Sequence, residues 1–70
     1  MKVSIREETC NGLPSLRVYR PRERKFPLPG SAYCTKSGYW IIGLPNQPYD
    51  VVDCEADAAF ALQEYYAGQP

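Results

Sequence analysis

Three cysteines, eight carboxylates and no histidine make up the reactive inventory of this chain. Without histidine, the Ser-His and Cys-His pairs that activate a nucleophile cannot be assembled. A cysteine acting alone needs a local base or a helix N-terminus to become a thiolate. Cys54 falls where a helix begins, but Asp53, Glu55 and Asp57 crowd the same end and oppose a further negative charge, so its thiol reads as structural or incidental. A structural zinc site takes four N or S ligands, usually with a Cys-x-x-Cys pair, whereas Cys10, Cys34 and Cys54 are three widely spaced sulfurs; no metal is expected. The glycines are isolated and form no phosphate cradle. The residues point away from an enzyme and from any cofactor.

The elements that must position these residues are few. Seventy residues make one small domain, and a domain of this size buries only about 60% of the surface its unfolded chain exposes, leaving little room for a deep pocket. Eight basic residues balance eight acids, so there is no long-range pull toward nucleic acid or anionic membrane. Met1 to Glu8 has no apolar leader run and no segment is long and apolar enough to span a bilayer. With an odd number of thiols, this fits reduced cysteines in a cytoplasm.

Alternation predicts strands at 2–6, with Val3 and Ile5 on one face, and at 16–20, with Leu16 and Val18 inward. Glu7 to Pro14 reads as the turn between them, with Asn11-Gly12 at its tip because both tolerate positive φ. Residues 21–31 carry three prolines, a glycine and a charge run, which predicts an exposed loop. Further strands are expected at 33–35, 39–44 and 49–52, with Gly43 marking a bulge or a close backbone approach. Asp53 is expected to cap a helix over about 54–67, ended by Gly68, with Ala58, Ala59, Leu62, Tyr65 and Tyr66 toward the sheet. The fold class is α+β: a small antiparallel sheet of three to five strands packed against one C-terminal helix.

Two surfaces stand out for binding. Phe60 projects away from the apolar helix face, between Asp57, Gln63 and Glu64, as an apolar ring inside a charged rim suited to a basic protein partner; the opposing reading covers it with Phe26 and Leu28 of the loop. Tyr19, Trp40, Tyr39 and Tyr49 are further aromatic anchors. The other surface is Arg20, Arg22, Arg24 and Lys25, where basic and aromatic residues interleave as in single-strand binders. Glu23 interrupts that cluster and the acidic helix would be repelled by phosphate, so nucleic acid is the alternative partner. Whether the uncovered sheet face is a homodimer interface stays open.

The run Ser37-Gly38-Tyr39-Trp40-Ile41-Ile42-Gly43-Leu44-Pro45, followed by Asp53-Cys54-Glu55-Ala56-Asp57-Ala58-Ala59, resembles the strand, turn and helix-start pattern of HicB-type antitoxins. It is also similar to the sheet-then-helix pattern of phage integrase arm-binding domains. The glycine-rich second turn of the first and the basic strands of the second are absent here, and no functional residue carries over. In size and character the chain is similar to small accessory proteins of phages and mobile elements, anti-CRISPR proteins among them. That resemblance implies a non-catalytic inhibitor or modulator of a host macromolecular complex, acting in the bacterial cytoplasm.

Overall fold

The computed structural model describes residues 1–70. Five strands, β1 (Ser4–Cys10), β2 (Leu13–Tyr19), β3 (Ser31–Cys34), β4 (Trp40–Gly43) and β5 (Asp50–Val52), are followed by α1 (Glu55–Ala67). The strands form one antiparallel sheet in the order β1-β2-β3-β4-β5. Each strand pairs with its neighbour in sequence, so no connection has to cross the sheet. The helix lies across one face, and the fold is α+β as expected.

The first hairpin corrects the expected turn. Pairing runs without interruption from Ser4 opposite Tyr19 to Cys10 opposite Leu13, so only Asn11 and Gly12 are left to turn the chain. Both have positive φ, 54° and 79°, the two-residue turn whose twist matches that of its strands. Glu7 to Cys10 and Leu13 to Ser15 therefore belong to strands. Pro14 is tolerated because a two-residue turn puts Thr9 and Pro14 at a position without hydrogen bonds, and β3 pairs with β2 only from Ser15 onward.

Alternation then sorts the side chains. Leu16, Val18, Ala32, Trp40 and Ile42 point to the helix, which answers with Ala58, Leu62 and Tyr66; all are buried, and Val3, Ile5 and Val52 pack half-buried around them. Two other boundaries shift, and one holds. The third strand begins at Ser31, inside the expected loop, because Ser31 and Ala32 pair with Arg17 and Leu16 on one side and Gly43 and Ile42 on the other. The residue before the helix is Cys54, extended at φ −149° with no side-chain cap bond, so Asp53 stands one position too early to cap it. Gly68 ends the helix in a right-handed conformation, donating its N–H to the Glu64 carbonyl.

The loop 21–31 is exposed over most of its length but not at Leu28. The Leu28 N–H donates to the Val18 carbonyl at 2.7 Å and its side chain enters the core. One residue on, the Pro29 carbonyl accepts from the Tyr66 hydroxyl at 2.5 Å, tying the loop to the last turn of the helix. Burial raises the Tyr66 phenol above its ordinary pKa.

Candidate binding surfaces

The seven residues expected to bind a protein partner fall in three different places: the outer side of the helix, the core and the open face of the sheet. Phe60 is 61% exposed on the outer side of the helix, with Asp57 and Glu64 exposed beside it in sequence. Phe26 and Leu28 do not cover it: Phe26 is in solvent and Leu28 is in the core. Trp40 is 5% exposed and lies under the helix, where it is a core residue rather than an anchor. Tyr19 is on the opposite, open face but only 6% exposed. The Arg6 guanidinium stacks on its ring at 3.8 Å, and its hydroxyl donates to the Glu8 carboxylate at 2.5 Å, which raises the phenol's pKa. Tyr19 is thus occupied within the chain.

Tyr39 and Tyr49 remain, and both belong to a larger open-face surface. Tyr33 on β3 pairs with Ile41 on β4, which pairs with Val51 on β5, so the three side chains form a row across half the sheet. Tyr39 stands two residues before Ile41 on the same side. The Tyr49 ring lies over Gly43, 3.3 Å from where a Cβ would stand, and β3 pairs with β4 without interruption, so what Gly43 admits is an aromatic ring rather than the bulge or backbone approach expected there. Tyr33, Tyr39, Tyr49 and Val51 are exposed and Ile41 is half-buried. Sequence reasoning missed Tyr33, Ile41 and Val51. Their signal was present in the alternation of β4, where Ile41 must face away from Trp40 and Ile42. At the end of this surface Cys10, Leu13, Tyr33 and Thr35 border an open hollow of about 350 Å³. Comparison with protein-family models, with curated proteins and with solved structures gave no match.

The basic loop is built differently from a phosphate track. Arg20, Pro21, Arg22 and Glu23 form a tight turn closed by the Glu23 N–H on the Arg20 carbonyl at 3.0 Å. The Glu23 carboxylate then accepts from three successive amides, those of Arg24 at 3.2 Å, Lys25 at 3.0 Å and Phe26 at 3.3 Å. The Lys25 and Phe26 amides hold its pKa below the ordinary glutamate value. A concave set of amides that suits an anion is therefore already filled by the chain's own carboxylate. Arg6 donates to the Glu23 backbone carbonyl, fastening the loop to β1.

All three cysteines are unpaired. At the start of the helix Asp53, Cys54 and Asp57 bring one ligand atom each within 4.8 Å of the others, all exposed. They are three solvent-facing donors with no buried shell to fix a geometry, and such clusters of acids are common at helix starts, where they favour the dipole. Glu55, in the same turn, shares a hydrogen bond with Glu7 of β1, which raises its pKa above the ordinary glutamate value. No helix is long and apolar enough to cross a membrane.

Proposed function

We propose that this protein is a non-catalytic protein-binding module whose contact surface is the open sheet face around Tyr33, Tyr39, Ile41, Tyr49 and Val51. The observation that carries this reading is that three tyrosines and a valine are exposed together on a face with no helix or loop of this chain above it. Tyrosines give large contact area at small entropic cost and are enriched where proteins bind one another. Phe60 is a second, separate anchor on the far side of the helix. The finer reading, a mobile-element inhibitor of a host macromolecular complex in the cytoplasm, rests on the resemblance in size and character given above. Direct nucleic-acid binding through Arg20, Arg22, Arg24 and Lys25 is weaker, because Glu23 fills the amide cluster and Tyr19 is held under Arg6 rather than free to stack on bases.

Affinity capture from host lysate, with and without nuclease, tests the reading when run beside a Tyr39→Ala/Tyr49→Ala variant. A protein partner retained after nuclease, and lost by the variant at an unchanged melting temperature, is the expected result. Loss of all partners on nuclease treatment would favour the nucleic-acid reading.

A further inference from the structure

The turn at the head of the basic loop has a residue that its backbone geometry disfavours. Proline at the second position and positive φ at the third define a type II turn, whose third position favours glycine. Here that residue is Arg22, at φ 69°. An L side chain in this region is strained, and such strain marks places where the side chain serves a purpose other than folding. Asn11 and Asn46 also have positive φ, but asparagine tolerates the conformation and arginine has no such excuse.

Arg22 borders a hollow of about 310 Å³ lined by Ser4, Arg6, Arg22, Glu23 and Arg24, with no apolar side chain. Arg6 is held in place from two sides, by its stacking on Tyr19 and its bond to the Glu23 carbonyl. The Glu23 carboxylate is committed to the amides of Arg24, Lys25 and Phe26. Three guanidinium groups and one carboxylate leave a net charge of +2 around the hollow, beside one hydroxyl. We propose that this hollow is a binding site for a terminal phosphate, a phosphate monoester dianion, with Arg6, Arg22 and Arg24 as its cationic donors and Ser4 as a neutral one. The dianion matches the net charge, and guanidinium forks suit its oxygens. A phosphodiester backbone has one charge per unit and needs a track, whereas this site is a single hollow bounded by five residues, among them the Glu23 carboxylate. The site is separate from the open-face tyrosines and stands independently of the protein-binding reading.

The test is a titration of the ¹⁵N-labelled protein with inorganic phosphate at neutral pH, ionic strength held constant with chloride, followed by amide and arginine Nε shifts. Saturable shifts confined to Ser4, Arg6 and Arg22 to Lys25 are expected. Arg22→Gly relieves the strained turn, so its melting temperature should not fall, while its phosphate affinity should drop by about fivefold or more through loss of one charged donor. Lys25→Ala removes the same charge from outside the hollow and should leave affinity nearly unchanged. Shifts that do not saturate, or equal weakening by Arg22→Gly and Lys25→Ala, would overturn the site in favour of diffuse charge. Tighter binding of oligothymidylate than of phosphate, with shifts spreading past Phe26, would overturn it in favour of a nucleic-acid track.

Discussion

The two faces of the sheet are made by alternate residues of the same five strands, yet they have opposite roles. On the helix side, Leu16, Val18, Ala32, Trp40 and Ile42 are sealed by Ala58, Leu62, Tyr66 and the inserted Leu28. On the open side the sheet divides again. Over β1 and β2 Tyr19 is clasped by Arg6 and Glu8, whereas over β3 to β5 Tyr33, Tyr39, Tyr49 and Val51 are exposed. Apolar composition therefore does not by itself locate the core. An apolar side chain is core when another element of the chain covers it and a potential contact when none does, and β4 supplies both within four residues.

The contrast breaks first, and most visibly, on the covered face. Trp40→Ala should destabilise by about 3–5 kcal/mol and Leu62→Ala by about 2–5 kcal/mol, enough to unfold much of so small a domain. Tyr39→Ala and Val51→Thr should each fall within about 0.5 kcal/mol of the parent. Urea melts of the four proteins check this, and an unchanged melt for Leu62→Ala would show that the helix is not docked on the sheet.

The loop sharpens the same contrast within three residues of chain, Phe26 to Leu28. Leu28→Ala should cost about 2 kcal/mol or more because it empties a core position. Phe26→Ala, two residues away and in solvent, should cost within about 0.5 kcal/mol. Equal effects in thermal melts would mean that the loop is not part of the core.

For Phe60→Ala, stability should likewise change by about 0.5 kcal/mol or less. Its use is to rank the two exposed surfaces. With a captured partner in hand, calorimetry should show a loss of about 2 kcal/mol or more for Tyr49→Ala. If the larger loss came from Phe60→Ala, the helix rather than the sheet would be the main contact.

The smallest effects are electrostatic and run in opposite directions. Glu23 has a lowered pKa in the folded chain, so the unfolded chain takes up its proton first; the stability it contributes above the ordinary value of 4.5 is lost as pH falls through the lowered one. Glu55 has a raised pKa, so the folded chain keeps its proton to higher pH; the stability it contributes in acid is lost as pH rises from 4.5 through the raised value. Urea midpoints measured across this range should lose part of their acid-side decline in Glu23→Gln and decline less on the upper side in Glu55→Gln. Both effects are small, because both carboxylates face solvent.

Periodicity was enough to read the existence of the strands and helix, the hairpin tip at Asn11-Gly12, and the inward set Leu16, Val18, Ile42, Leu62 and Tyr66. These depend on local spacing and local φ. The hairpin's length was not legible, because Glu7-Glu8-Thr9 and Pro14 read as turn residues in isolation. Only the uninterrupted pairing of the two strands makes them extended. The cap was misplaced by one residue for a similar reason: where a helix begins depends on where β5 releases the chain.

The candidate surfaces divide along the same line. That Phe60 points away from the apolar helix face follows from helical spacing, and the basic cluster from sequence alone. Whether Phe60 is covered, whether Trp40 or Ile41 faces the helix, and what holds Tyr19 were decided by contacts between residues far apart in the chain. The sequence by itself determined which residues share a face of each element, since a strand or helix repeats at a fixed local period. Only the tertiary structure decided which of those faces the single helix and the short reach of Leu28 could cover, because covering is a property of the whole packed chain and one helix can shield only one side of a sheet.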